Sequence, residues 1–159
     1  MAAKYPLAML IDLRGRRLQA AQSEEKHCKL LLSQALNELE SKKQELADYL
    51  AFRDAEIERR YREILNTVKT QNEIAKFNSE IGLIYEKENL LRADIVTLDK
   101  KVQAARQALT KAKEQVTLAF KAKAKLESHR ELWLAEQRRY LEYKADLELE
   151  DFRAKKPAY

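Results

Sequence analysis

The sequence predicts an all-α protein, a long antiparallel two-helix coiled-coil hairpin, on three observations. Hydrophobic residues recur in alternating steps of three and four along nearly the whole chain. Only two glycines and two prolines occur in 159 residues, against 36% charged side chains, which is the composition of long helices. One stretch, residues 66–72, is polar and nearly uncharged and divides the pattern in two.

The first arm is expected over about 6–66 of the 1–159 chain. Pro6 suits a first helical turn, where its missing N–H costs nothing. The stripe then reads Leu7, Ile11, Arg14, Leu18, Ala21, Glu25, Cys28, Leu32, Ala35, Leu39, Lys42, Leu46 and Tyr49. Beyond Tyr49 the apolar residues Leu50, Ile57 and Tyr61 imply an extra four-residue step, a stutter that unwinds a supercoil locally. Thr70 followed by Glu73 fits a capping box, so the turn is expected at about 66–72.

The second arm is expected over about 73–152, followed by a short frayed C-terminal tail. Its stripe runs from Ile74 and Phe77 through Ile84, Glu88, Leu91, Val102, Ala112, Lys123 and Trp133 to Tyr140, Lys144 and Leu147. A repeat of 3.5 residues needs a partner along its length, and a short connection gives an antiparallel one. With the turn near residue 70, facing positions total about 140, which sets Leu7 opposite Trp133 and Leu39 opposite Val102. A rod of roughly 100 Å results at 1.5 Å per residue. The second arm outruns the first from about Tyr140. The charged seam residues Arg14, Glu25, Lys42, Glu88, Lys123 and Arg130 have two readings: side chains that snorkel out of a half-buried seam, or groups that fix register or leave the rod soft for a third partner. Periodicity alone also allows both arms to open into one helix paired with a second copy; the polar turn argues for the hairpin.

A thin rod has no concave interior for chemistry, so no enzyme, cofactor or metal site is expected. Gly15 and Gly82 are isolated, and His27 and His129 are far apart. Cys28 is the single cysteine, so the chain cannot form an internal disulfide. No run of 18 apolar residues exists, which excludes direct membrane insertion through a helix. The net charge of +5, from 31 basic and 26 acidic side chains, is too balanced to indicate nucleic acid, and no aromatic residues interleave the basic ones.

Function is therefore sought on the outside. A basic belt holds Lys100, Lys101, Arg106, Lys111, Lys113, Lys121, Lys123 and Lys125, relieved only by Glu114, and suits an acidic protein surface. The base of the rod holds Tyr5, Pro6, Leu7 and Trp133, with Tyr140, Leu141, Tyr143, Leu147, Leu149 and Phe152 beyond. Exposed apolar clusters of that kind mark partner sites. Phe52, Tyr61 and Tyr85 lie beside the seam nearer the turn, as flank packing or as a docking surface.

The opening KYPLAMLIDLRGRRLQAAQ and the segment KLESHRELWLAEQRRYLEYKADLELEDF resemble the two ends of the type III secretion stalk family, the YscO-like injectisome proteins and their flagellar relative FliJ. The resemblance spans the whole chain in length and architecture. Its residue-level match rests on Tyr5, Pro6, Leu7 and Trp133. It implies a non-enzymatic cytoplasmic stalk, peripheral to the inner membrane through the secretion apparatus. The implied partners are the hexameric secretion ATPase, the cytoplasmic ring of the export gate, and chaperones of translocators or late substrates. A stalk with a free surface is expected to be a monomer when isolated. The alternative is a free-standing coiled-coil scaffold or chaperone-like adaptor with no ATPase partner, which predicts self-association through the aromatic base.

Overall fold

A computed structural model describes residues 4–155 as two helices, α1 (Ala8–Leu65) and α2 (Gln71–Ala154). The tail expected beyond residue 152 falls partly outside these residues. Alanine, leucine and long charged side chains lose little rotamer freedom in a helix, so both helices run long without a break.

Ends and turn follow local chemistry. Tyr5 and Leu7 carbonyls accept the first turn's bonds from Ala8 and from Leu10 and Ile11. The Thr67 hydroxyl donates to the Glu63 carbonyl at 2.9 Å, satisfying one of the last free acceptors of α1. The Thr70 hydroxyl accepts from the Glu73 N–H at 3.3 Å, which makes Thr70 the N-cap of α2. Glu73 itself puts a negative charge in the first turn, where the helix dipole favours it.

Contacts group the chain into two units, each built from one stretch of α1 and one of α2. The first comprises residues up to Glu25 and from Lys111 onward; the second runs from Lys26 to Thr110. Within the second unit, Lys101 reaches Glu38 at 3.0 Å, Lys42 reaches Asp94 at 3.6 Å, and Arg60 reaches Glu80 at 2.6 Å. Partner numbers fall along α2 as they rise along α1, which is an antiparallel register. Its core is a single seam: Ala35, Leu39 and Val102 form one buried cluster, and Tyr49, Ile84 and Leu91 another. In the first unit the seam holds Tyr5, Ile11 and Leu126, with Leu10 and Trp133 packed against them.

After Tyr49 the half-buried positions are not purely apolar: Arg53, Glu56, Arg60 and Ile64 turn in alongside Leu50 and Ile57, Ile57 packs against the Tyr49, Ile84 and Leu91 cluster, and Tyr61 is exposed. Arg53 and Arg60 reach Glu88 and Glu80 across the seam, while Glu56 pairs with Arg59 and Arg60 on its own helix. The structure departs from the sequence expectation in one place. At the base, Tyr5 rather than Leu7 meets Trp133; Leu7 is exposed. The Tyr5 ring lies ahead of the helix and caps its open end.

Candidate partner-binding surfaces

At the base of the first unit, the aromatic residues pack on one another. Tyr5 meets Trp133 edge-on, with ring centroids 5.5 Å apart and planes at 65°. This is the favoured geometry for two aromatic quadrupoles. The Tyr5 hydroxyl lies 2.5 Å from Nδ1 of His129 and completes its hydrogen bonding inside the cluster. Tyr5 is thus buried, Trp133 half-buried, and Pro6 and Leu7 exposed at the rim. Sequence reasoning missed His129, whose partner comes from the far end of the chain.

Past Gln137 every described side chain of α2 is exposed. Tyr140, Tyr143 and Phe152 are each about three-fifths accessible, and Leu141, Leu147 and Leu149 are exposed beside them. This segment therefore offers more apolar surface than its own fold covers.

The lysines sort by their place on α2. Lys111, Lys113, Lys121 and Lys125 are exposed. Lys123 turns partly inward, 3.6 Å from Glu127, with its stem over Gly15. Arg14 donates from Nη1 to the Ala122 carbonyl at 2.7 Å, so this seam cation crosses to the opposite helix and helps fix register. Leu118 and Phe120 are exposed between the lysines.

In the second unit the charged seam layer is the most constrained polar feature. Glu88 accepts from Arg53 Nη1 at 2.7 Å across the seam, and from Nε and Nη2 of Arg92 one turn along its own helix. These hydrogen bonds, Arg53 first and Arg92 second, hold its carboxyl below the usual range against the opposing effect of burial. Glu56 is held lower still, at about 2, by hydrogen bonds from Arg59 and then Arg60. The Tyr49 hydroxyl donates to the Ile84 carbonyl at 2.7 Å, and burial, with the Glu88 charge, pushes its pKa up.

The nearby aromatics are tethered yet accessible. Phe52 lies 5.9 Å from Tyr49, Tyr61 meets Phe77 edge-on at 5.1 Å, and the Arg53 guanidinium sits 5.8 Å from the Tyr85 ring centre. All three of Phe52, Tyr61 and Tyr85 keep about half their surface. They flank the seam separately: nine residues apart, Phe52 and Tyr61 lie on opposite sides of α1.

Among the described residues no group of three or more His, Cys, Asp or Glu side chains is placed to hold a metal ion. No helix is long and apolar enough to cross a membrane. The arrangement offers surfaces, open grooves and charge.

Comparison with known proteins agrees in sequence and in fold. No curated protein sequence matches the chain. Among solved structures, the type III secretion protein YscO from Vibrio parahaemolyticus superposes with a TM-score of 0.88 at 24% identity, covering 92% of each chain. A putative YscO homolog from Chlamydia trachomatis gives a TM-score of 0.78 at 20% identity, covering 96% of this chain and 93% of the other. These likenesses establish the shared fold. The family model for type III secretion protein YscO matches residues 7–155, which runs from the rim of the aromatic base to the last described residue, and the chain belongs to that family.

Proposed function

We propose that the chain is a non-catalytic stalk of a type III secretion apparatus, which enters the central channel of the hexameric secretion ATPase. In this reading it works in the cytoplasm, held at the inner membrane by the apparatus. It also contacts the cytoplasmic ring of the export gate and receives chaperones carrying translocators or late substrates. Family membership supports the setting. Physical form supports the role: a seam only two helices thick is roughly 20 Å across with its side chains, narrow enough for the channel of a six-membered ring.

The observation that supports the ATPase contact is the set of exposed lysines Lys111, Lys113 and Lys121, distributed around α2, with Lys123 turned partly inward. Cations on a narrow shaft are drawn to acidic loops lining a channel, and such attraction weakens with salt. The aromatics Phe52, Tyr61 and Tyr85, and Tyr140, Tyr143 and Phe152 at the other end of the sequence, are the surfaces offered to the remaining protein partners, beside Tyr5, Pro6, Leu7 and Trp133 at the base. Charge reversal at Lys111, Lys113 and Lys121 tests the reading. Co-sedimentation with the purified ATPase is expected to fall at least tenfold at physiological salt, with helix content unchanged. Undiminished binding removes the lysines from the contact.

The exposed Tyr140, Tyr143 and Leu147 favour the second reading, a scaffold that self-associates through its base. Light scattering over a hundredfold concentration range separates the two. A monomer throughout supports the stalk, and a concentration-dependent dimer supports the scaffold.

A further inference from the structure

The seam of the first unit stops where α1 begins, beside Tyr5, but its pattern on α2 does not stop there. Trp133 is the last seam residue of α2 that meets an aromatic partner from the start of the chain, through Tyr5. The alternating steps nevertheless continue as Gln137, Tyr140, Lys144 and Leu147, with Tyr143 beside them. Here Tyr140 is 59%, Tyr143 62% and Leu147 42% exposed. A repeat of this kind is useful only against another helix.

The charges beside this stripe say which kind. At about 3.6 residues per turn, Glu136, Glu148, Glu150 and Asp151 fall within roughly a quarter turn of the Tyr140–Leu147 line, against two cations, Lys144 close to it and Arg139 at its margin. Glu142 and Asp146 add acidity on the outer face. The segment is acidic in a chain whose net charge is +5. A second copy laid on it would set mostly carboxylates against carboxylates at the flanking positions, four against the two cations Arg139 and Lys144, which disfavours pairing. A helix with basic flanks meets complementary charge and supplies the missing side of the seam.

We propose that residues 136–151 of α2 dock a basic amphipathic helix of a partner protein, whose apolar stripe extends the two-helix seam past Trp133. Tyr140, Tyr143 and Leu147 are the anchors. Tyrosine suits this place because it carries a large apolar face into the contact and leaves its hydroxyl at the wet rim. Glu136, Glu148, Glu150 and Asp151 select the partner by charge. This deepens the reading of Tyr140 and Tyr143 as partner-binding residues, and it stands whether or not the lysines meet an ATPase.

The test uses the full chain and two fluorescent 21-residue helical peptides. Both carry leucine at the seam positions; one has lysine and the other glutamate at the flanks. The lysine peptide is expected to bind at least tenfold more tightly than the glutamate peptide. Its affinity is expected to fall at least tenfold in Tyr140→Gln/Leu147→Gln, whose sites are exposed and whose helix content circular dichroism checks. Glu136→Lys/Glu148→Lys/Glu150→Lys is expected to invert the preference, which keeps the test independent of the first variant. Charge reversal at Lys111, Lys113 and Lys121 is expected to leave peptide binding unchanged, which separates this surface from the ATPase contact. Equal binding of both peptides overturns the proposal, as does binding indifferent to Tyr140→Gln/Leu147→Gln. So does a dimer of the chain that those two substitutions dissolve, since a second copy then holds the site.

Discussion

Arg53 of α1 and Glu88 of α2 meet at 2.7 Å in the seam of the second unit, where a coiled coil ordinarily places two apolar side chains. Glu88 is buried, and its side chain is 10% accessible against 21% for Arg53. The pair favours this register: shifting α1 by one heptad in one direction would set Leu46 against Glu88 and leave it Arg92 alone as a partner, at a cost in desolvation. Glu88→Ala is expected to lower the melting temperature more than Arg92→Ala, because Arg92 is over half exposed and can return to water. A double-mutant cycle on Arg53→Met and Glu88→Met should show coupling between the two sites. Additive effects would mean that the pair contributes nothing to register.

The same layer sets an acid limit. The Glu56 carboxyl is depressed from 4.5 to about 2 by Arg59 and Arg60, and Glu88 is depressed in the same direction. A carboxyl whose folded value lies below its unfolded value binds fewer protons when folded. Its contribution is full above about 4.5 and is lost as pH falls toward about 2. Thermal melts from pH 6 to pH 2 should therefore show an acid limb that Glu56→Gln flattens. Because Arg59, its first partner, is over half exposed, added salt should shrink the difference. An unchanged limb in Glu56→Gln would place the acid sensitivity elsewhere.

How much of this was legible turns on particular residues. Leu39 with Val102, and Ile84 with Leu91, were readable because apolar residues at alternating steps have one place to go. The Arg53–Glu56–Arg60 run was not, because a pattern sought in apolar residues passes over charged ones that turn inward beside them. The signal was present in a different form. Glu88 interrupts the second stripe, and an oppositely charged residue faces it in the first. Leu7 was set opposite Trp133 for a related reason: the burial of Tyr5, which takes that place, comes from lying ahead of the helix, where periodicity says nothing. The exposed aromatics were visible as residue types, but the exposure of Tyr140, Tyr143 and Phe152 depends on where α1 begins.

Gly82 lies inside α2 with nothing within 4 Å of the Cβ it lacks, and no glycine among the described residues has positive φ. It therefore costs helix stability without enabling a close approach. Gly82→Ala is expected to stabilise the protein by about 0.5–1 kcal/mol, measured by urea unfolding. Gly15→Ala should gain similarly, because the added methyl meets only the flexible Lys123 stem at 3.9 Å. A loss at Gly82 would show that the second unit needs the local softness a glycine supplies.

The aromatic base should be separable into packing and hydrogen bonding. Trp133→Ala removes the face on which Tyr5 rests and is expected to cost about 2–3 kcal/mol, below the range for a fully buried aromatic because Trp133 is only half-buried. Tyr5→Phe keeps the ring contact and loses only the bond to His129, and is expected to cost about 1 kcal/mol. Amide exchange localises the effect: protection near Ile11 and Leu126 should fall in Trp133→Ala and persist in Tyr5→Phe, since those residues share one cluster with the Tyr5 ring. If Tyr5→Phe were as damaging as Trp133→Ala, the hydroxyl bond rather than the stacked rings would be closing the base of the first unit.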